Sequence, residues 1–175
     1  MSRPNTGQGM PVGGPRRGQM RWLGLSALVI ALDQWTKHLV ETHIESFDTR
    51  VVLPVFNLVR AYNRGAAFSM FNVPGAWQRW AFSALALGVS AALIVWLARL
   101  ESRAQLMAGS LALILAGALG NLIDRLRLGM VVDFLQVHWH DHYFPAFNVA
   151  DSAITLGAIG LLLDAFLNSR RAADH

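Results

Sequence analysis

The stretch AQLMAGSLALILAGALGNLI, residues 104–123, decides the fold class because it runs for 20 residues without Asp, Glu, Lys or Arg. A helix needs about 20 mainly apolar residues to cross the roughly 30 Å hydrocarbon core of a bilayer. A second such run, residues 80–98, continues for 19 residues. The chain is 54% hydrophobic and 15% charged, whereas a soluble domain has about 25% charged residues. We therefore predict a membrane protein.

We predict four membrane helices, at about residues 22–40, 78–98, 104–123 and 152–168. The first and last are less apolar, because the first carries Asp33 and Lys37 and the last carries Asp164 near its end. Residues 1–20 are rich in Gly, Pro, Gln and Arg and are predicted to form a disordered cytoplasmic tail. Residues 21–169 are predicted to form a single membrane-embedded domain, followed by a cytoplasmic tail at residues 170–175.

The basic residues predict that both termini lie in the cytoplasm. Lys and Arg are concentrated in the cytoplasmic connections of membrane proteins. With the termini inside, the inner ends of the spans are flanked by Arg16, Arg17, Arg21, Arg99, Arg103, Arg170 and Arg171. Residues 41–76 and 125–150 then form the two outer connections.

The outer connections are predicted to lie at the membrane surface. Residues 41–76 contain short runs rich in Val, Phe, Leu and Tyr, interrupted by Pro and Gly, a pattern typical of short strands. Residues 125–150 carry aromatic side chains of the kind found at membrane interfaces, namely Trp139, Tyr143, Phe144 and Phe147. The predicted fold is membrane α-helical, with four transmembrane helices and a small extracytoplasmic β-structured cap.

Composition and patterning argue against several function classes. The net charge of +4 is spread along the chain without a basic patch, which argues against nucleic-acid binding. The chain has no cysteine, which excludes disulfides, thiol catalysis and zinc–thiolate sites. A transport path needs polar residues along the whole depth of the spans, and the middles of the second and third predicted spans offer only Ser and Gly. A four-helix scaffold protein would need no convergent acids.

Two aspartates, Asp133 and Asp151, lie in apolar sequence close to predicted spans, 18 positions apart. A carboxylate near hydrocarbon costs roughly 2.5–3.5 kcal/mol on insertion scales, so such a residue usually faces a cavity and acts there. Two carboxylates in one cavity can hold a shared proton and activate water, as aspartic hydrolases do. The alternative is two unrelated aspartates, with Asp151 capping the helix that follows.

Further polar residues lie near the outer ends of the predicted spans. Asn121 and Asp124 are three positions apart and share a face if that segment is helical, as do Asn148 and Asp151. Arg125 can bind a carboxylate or a peptide carbonyl at fixed geometry. These residues are candidates for binding a substrate backbone, and it is equally open that they stabilise helix ends.

Two smaller groups have different expected roles. Asp33 and Lys37 are four positions apart, so we predict an ion pair within the first helix that lowers the cost of both charges and has a structural role. Asn63 precedes Gly65, whose lack of a side chain permits close backbone approach. That segment is a candidate strand edge for substrate binding.

Three histidines, His138, His140 and His142, alternate and would share one face of a strand. Three histidines can bind zinc. No carboxylate spacing completes a familiar zinc motif, so we predict no metal site.

Five segments, taken together, resemble the bacterial lipoprotein signal peptidases, or signal peptidase II, a family of aspartyl proteases of the inner membrane. They occur in the family's order with similar spacing and span residues 20 to 168 approximately. Arg64 departs from the family, where a small polar residue such as Thr is expected. The matching segments are DQWTK (33–37), YNRGAAFS (62–69), GALGNLIDR (117–125), VVDF (131–134) and FPAFNVADS (144–152).

The resemblance implies a role for each candidate residue: Asp133 and Asp151 as the catalytic pair; Asn63, Gly65, Asn121, Arg125 and Asn148 in substrate binding; Asp33, Lys37 and Asp124 in structural support. It implies a multi-pass protein of the bacterial inner membrane with its active site near the periplasmic face. The implied substrate is a prolipoprotein whose Cys carries diacylglycerol, cut just before that Cys. Membrane lipids and globomycin-like inhibitors are the other implied partners, and no metal or organic cofactor is expected.

Overall fold

The structure is a computed structural model that describes residues 18–65 and 77–173, excluding the side chains of residues 171–173. A 3-10 turn at Met20–Trp22 leads into the first helix. The helices are α1 (Leu23–His43), α2 (Trp77–Arg99), α3 (Gln105–Leu128) and α4 (Val149–Ala173). The strands are β1 (Thr49–Leu53), β2 (Phe56–Asn63), β3 (Val131–Trp139) and β4 (His142–Tyr143).

Among the described residues, three helices are long and apolar enough to cross a membrane: α2, α3 and α4 over Val149–Arg170. The predicted mainly helical fold with a small antiparallel sheet is confirmed. Three of the four predicted spans are confirmed as candidate spans. Helix α1 has 21 residues but carries Asp33, Lys37 and Glu41. Its passage through the membrane stays a prediction.

Helix α3 continues to Leu128, beyond the span predicted to end at residue 123. It stops at Gly129, which has a φ of 78° and donates its backbone N–H to the carbonyl of Arg125. A left-handed residue directly after the last turn is a common helix end, and glycine adopts it without a Cβ clash. The extension places Asp124 and Arg125 on the helix, although the sequence analysis had placed Arg125 in the following connection.

Helix α3 is the centre of the bundle and packs against α1, α2 and α4. The contact with α2 is a cluster of buried aliphatic side chains that includes Leu97, Leu111 and Leu115. The contact with α4 depends on glycine: a Cβ on Gly157 would lie 2.6 Å from the backbone oxygen of Ser110, and a Cβ on Gly117 would overlap the backbone oxygen of Ala150. This close approach places the start of α4 beside the second half of α3.

The four strands form one antiparallel sheet in the order β1-β2-β3-β4. Strands β1 and β2 lie in the predicted cap, whose residues 66–76 are outside the described residues. Strands β3 and β4 come from the second outer connection, for which no strand was assigned from sequence. In the β2–β3 register, Ala61 pairs with Asp133 and Asn63 with Val131. The sheet thus brings Asn63 and Asp133 together.

The three histidines do not share a strand face. His138 lies on β3, His140 has a φ of 51° in the turn, and His142 lies on β4. The His138 ring stacks on Tyr143 across the hairpin, with the centroids 5.0 Å apart. Within the described parts of the chain, no group of three His, Asp or Glu residues is arranged to hold a metal ion.

Candidate active site

Asp133 is buried on β3, with 3% of its surface exposed. Its Oδ1 accepts a hydrogen bond of 2.7 Å from Asn148 Nδ2, and the side chain of Asn63 also hydrogen-bonds to it. Burial, followed by the negative charge of Asp151, raises the pKa of Asp133 to about 7, while the two asparagines and the charge of Lys37 oppose this rise. Asp133 is therefore a carboxyl group that takes up a proton near neutral pH.

Asp151 lies in the first turn of α4, where it forms a reciprocal cap with Asn148. The backbone N–H of Asn148 donates to Asp151 Oδ2 at 3.3 Å, and the backbone N–H of Asp151 donates to Asn148 Oδ1 at 2.9 Å. This is the arrangement of a capping box, with Asn148 as the N-cap residue. Asp151 Oδ1 also accepts a hydrogen bond of 2.8 Å from Asn121 Nδ2 on α3. Asp151 therefore stabilises the helix start and still faces its neighbours on α3.

Asn148 connects the two aspartates and is fully buried. Its side-chain oxygen accepts from the backbone of Asp151, and its side-chain nitrogen donates to Asp133. The same nitrogen lies 3.2 Å from the carbonyl of Val132 and 3.2 Å from Asn121 Oδ1. One amide side chain thus holds the end of a strand and the start of a helix in a fixed relation.

A second buried cluster lies next to this pair. Lys37 Nζ is 2.8 Å from Asp33 Oδ2, as the spacing in α1 predicts, and also 2.8 Å from Asp124 Oδ2 on α3. It donates to Asn121 Oδ1 at 3.2 Å. The side chain of Gln34 donates to Asp124 at 2.9 Å. Because the side chains of Asp33, Lys37 and Asp124 are all buried, their charges are stabilised by one another and not by water.

The charged cluster also anchors backbone groups. Asp33 Oδ1 accepts the backbone N–H of Ala150 at 2.9 Å, and Asp124 Oδ2 accepts that of Val132 at 3.2 Å. The first bond satisfies an otherwise unpaired donor in the first turn of α4. Residues from α1 and α3 thereby fix the backbone beside both members of the aspartate pair.

The remaining predicted binding residues border the pair. Arg125 is half-buried, lies over the ring of Phe82 at 5.3 Å and interacts electrostatically with Asp151 and Asp133. Gly65 has a φ of 91°, and a Cβ there would lie 2.5 Å from Phe82. Its backbone N–H donates to Asn63 Oδ1 at 2.7 Å. Asn63, Gly65 and Arg125 therefore lie around one aromatic ring near the aspartates.

Sequence reasoning missed Gln34 and Phe82. Gln34 is a polar residue inside the apolar first helix and directly follows Asp33, which is a signal that could have identified it. Phe82 is one of many apolar residues in α2, and no local pattern distinguishes it. Asp124 was expected to support structure, but its pairing with Lys37 depends on the packing of α3 against α1.

Two cavities in the described parts of the chain lie away from this site. One, of about 490 Å³, is lined by residues of the β3–β4 hairpin and by Val55, Phe144 and Pro145. The other, of about 360 Å³, lies at the opposite end of the bundle and is lined by residues that include Glu101, Arg103 and Asp164. Neither is lined by Asp133 or Asp151. Hydrogen bonding and charge are the observations that locate the candidate site.

The arrangement has the parts that water activation needs. One carboxyl group is protonated or ionised according to small changes near neutral pH, and a second accepts amide hydrogen bonds. A pair of this kind can remove a proton from water and donate another to a carbonyl oxygen. The half-buried Arg125 and the amide of Asn63 offer donors for a peptide backbone at its edge.

The chain matches known proteins along most of its length. The sequence profile of the family described as Signal peptidase (SPase) II matches residues 25–167. A lipoprotein signal peptidase of Acinetobacter baumannii is 53% identical over 145 residues, which cover 83% of this chain and 82% of that protein. A lipoprotein signal peptidase of Pseudomonas fluorescens is 52% identical over 163 residues, which cover 92% of this chain and 96% of that protein.

Solved structures agree with these matches. Two of them, both described as bacterial membrane enzymes studied by the in meso method, superpose with TM-scores of 0.76 and 0.75 at 27% and 29% identity. They cover 89% and 85% of this chain, and 94% and 96% of their own chains. With a family profile that covers most of the chain and relatives at about half identity, the chain belongs to the signal peptidase II family of membrane peptidases.

Proposed function

We propose that the protein is an intramembrane aspartyl endopeptidase that removes the signal peptide from diacylglyceryl-modified prolipoproteins. It cuts just before the lipid-modified Cys. The proposal takes its substrate from the names of the relatives and its chemistry from the two aspartates. It locates the protein in the bacterial inner membrane with four spans, both termini in the cytoplasm and the active site near the periplasmic face.

The observation that carries the proposal is the shared partner of Asp133 and Asp151. Asn148 bonds to both, and the charge of Asp151 is among the causes that raise the pKa of Asp133 to about 7. Two carboxyl groups coupled in this way take up protons as a unit. With a pKa of about 7, Asp133 occurs in both its protonated and its ionised form near neutral pH, and the protonated form is the one that the reaction uses.

The reaction uses both protonation states. Asp151, as a carboxylate, removes a proton from water, and the resulting hydroxide forms a bond to the scissile carbonyl carbon. Asp133 donates its proton to the carbonyl oxygen, which gives a neutral tetrahedral intermediate. When the C–N bond breaks, the proton held by Asp151 passes to the departing nitrogen, which becomes the amino group of the lipid-modified Cys. Asp133 recovers its proton as the new carboxyl group forms.

The lipid modification explains much of the positioning. The acyl chains of the substrate remain in the bilayer, so the scissile bond is brought to the depth of the aspartates by partitioning. Asn63, Gly65, Asn121, Arg125 and Asn148 are the proposed binding residues for the peptide. Of these, Arg125 and Asn63 border the pair and are the proposed contacts to a peptide carbonyl, while Asn121 and Asn148 hold the carboxyl groups.

The test is cleavage by the purified protein of a prolipoprotein bearing a diacylglyceryl-modified Cys. We expect a mass decrease equal to the signal peptide, an N-terminal lipid-modified Cys in the product, inhibition by globomycin and no inhibition by EDTA. The same prolipoprotein without the lipid is the matched control and should remain largely uncut. Cleavage at another bond, or no cleavage of the lipid-modified form, contradicts the proposal.

A further inference from the structure

Lys37 lies at the centre of the buried charged cluster, and the reaction above gives it no part. Its ammonium has three N–H donors and three acceptors around it. Asp33 Oδ2 and Asp124 Oδ2 both lie at 2.8 Å, and Asn121 Oδ1 lies at 3.2 Å. A carboxylate presents an oxygen at both of its ends, whereas a side-chain amide presents an oxygen at one end and an NH2 group at the other. The orientation of Asn121 therefore matters for this contact.

The ammonium of Lys37 decides which end of the Asn121 amide faces which neighbour. An ammonium group only donates, so it binds the oxygen end. The nitrogen end then points to Asp151 and donates to its Oδ1 at 2.8 Å. The reversed amide would place an N–H against the ammonium and a carbonyl oxygen against a carboxylate. Two attractive contacts would become repulsive, so the amide has one stable orientation.

The amide of Asn148 is oriented by a different group. Its Oδ1 accepts the backbone N–H of Asp151, which fixes its nitrogen toward Asp133 and Val132. The nitrogen also lies 3.2 Å from Asn121 Oδ1. Its two N–H groups have acceptors in Asp133 and Val132 whether or not Asn121 is held. Lys37 is the stronger holder of Asn121, because a charged donor binds more tightly than a neutral one.

We propose that Lys37 is a positioning residue for the aspartate pair, because its ammonium fixes the amide of Asn121 so that the N–H is aimed at Asp151. This inference rests on the proposed function and extends the role of Lys37 beyond structural support. The positive charge of Lys37 also favours the ionised form of Asp133. A purely structural lysine would change the amount of folded protein and leave unchanged the pH at which the pair takes up its proton.

The test compares the double variant Asp33→Asn/Lys37→Met with the single variant Asp33→Asn. In the wild type, Asp33, Lys37 and Asp124 together carry one net negative charge, and the double variant keeps that charge on Asp124. The single variant keeps Lys37 against Asn121 and is the matched control. The readouts are infrared titration of the protonated carboxyl band of the pair, assigned by loss in Asp133→Asn, and the pH profile of kcat and KM for cleavage.

We expect the double variant to keep its carboxyl proton to a pH about one unit higher than the wild type, because the pair loses an aimed N–H donor while the net charge of the cluster is unchanged. The kcat should fall by about 10- to 100-fold with KM nearly unchanged, the scale expected for a displaced catalytic group. The single variant should titrate at the wild-type pH or slightly below it. An unshifted double variant, or an equal upward shift in the single variant, overturns the proposal.

A double variant that does not fold is replaced by Asn121→Leu, which removes the N–H donor without adding charge and keeps Lys37 with both carboxylates. We expect an upward shift here as well, and an unchanged titration again overturns the proposal. The infrared titration needs no substrate. It therefore gives a result even for a wild type that cleaves no prolipoprotein, so failure of this inference and failure of the proposed function are separate outcomes.

Discussion

Two pairs of aspartates lie next to each other in the molecule and differ in the group between them. Asp33 and Asp124 share the ammonium of Lys37, with both distances at 2.8 Å. Asp133 and Asp151 share Asn148, whose side-chain N–H donates to the Asp133 carboxyl group and whose backbone N–H donates to that of Asp151, and which carries no charge. The two pairs are joined through Asn121, which contacts Lys37 and Asp151. The residue types are the same, and three of the four aspartates are buried while Asp151 is partly buried. The main difference is the shared partner.

From this difference in the shared partner we infer a separate role for each pair. The ammonium of Lys37 pairs with both Asp33 and Asp124, and this cluster holds three helices together. An amide cannot compensate charge, so Asp133 and Asp151 reduce their repulsion by binding a proton. Burial, and after it the charge of Asp151, raises the pKa of Asp133 to about 7. We therefore propose that Asp133 and Asp151, the pair without a shared cation, are the reactive pair.

The largest expected effect is on catalysis, in Asp133→Asn and Asp151→Asn. Each removes a proton donor or acceptor while keeping the side-chain shape, so the activity should fall about 10³- to 10⁴-fold with the fold retained. Cleavage of a lipid-modified prolipoprotein gives the rate, and size-exclusion chromatography checks the fold. The exposed Asp141 provides a matched control, and Asp141→Asn should keep wild-type activity. Turnover within tenfold of wild type by either site variant would refute the catalytic pair.

The next largest effect is on stability, in Lys37→Met. Removing the only cation of a buried cluster leaves two carboxylates unpaired, which costs about 3–5 kcal/mol. Thermal unfolding in detergent measures the loss. The control is Arg127→Met, which breaks an ion pair whose arginine side chain is 44% exposed and should cost less than about 1 kcal/mol. Equal losses in the two variants would mean that burial of the Lys37 cluster has no special energetic role.

The helices could be predicted from sequence because each depends on a local apolar run. The ion pair of Asp33 and Lys37 was also predictable, since four positions along one helix bring two side chains together. Strand β3 was not assigned, because its pairing with β2 joins residues more than 65 positions apart. The same limit applies to the contact of Lys37 with Asp124, which exists only after α1 packs on α3.

The proposed role of the aspartate pair rests on both the sequence and the structure. The apolar surroundings of Asp133 and Asp151 indicated a function before any geometry. Asn148 bridges the carboxyl group of Asp133 and the backbone N–H of Asp151, and Asn121 has a single orientation. Both features depend on contacts among α3, β3 and α4. A motif can indicate which residues belong to a site. Which N–H group donates to each carboxyl oxygen depends on how the helices and strands pack.

The pH dependence of stability gives a smaller effect with a defined sign. The pKa of Asp133 is about 7 in the folded chain, against an ordinary value of about 3.9 when unfolded. Between these pH values the folded chain keeps a proton that the unfolded chain has lost. Stability is therefore lost as pH rises from about 4 to 7, by a few kcal/mol, and the full cost is present above 7.

Asp133→Asn has no carboxyl group to ionise and should escape this loss. Its Tm relative to wild type should rise by about 5 to 10 °C between pH 4.5 and pH 8. Thermal scans of both proteins across that range, with Asp141→Asn as the control, measure the difference. A relative Tm that is flat or falls with pH would show that Asp133 is not the proton-bearing member of the pair.

The smallest effect concerns Gly120, which separates the compensated pair from the start of α4. A Cβ at Gly120 would lie 2.7 Å from Asp33 Oδ2 and 3.2 Å from the Cβ of Ala150. Gly120→Ala changes no charge, yet it displaces the carboxylate that binds the Ala150 backbone N–H. Such overpacking costs about 1–3 kcal/mol, partly offset by the roughly 1 kcal/mol that alanine gains over glycine in a helix.

Gly88→Ala supplies the matched comparison, because a Cβ at that position of α2 would meet no atom of the described residues within 4 Å apart from the adjacent backbone of its own helix. It keeps the helix propensity gain without the clash, so its Tm should stay level or rise while that of Gly120→Ala falls. Gly120→Ala should also lower the cleavage rate by a few-fold, since the first turn of α4 carries Asp151. A Gly120→Ala protein as stable and active as Gly88→Ala would mean that the carboxylate of Asp33 shifts without consequence, and the two aspartate pairs would then act independently.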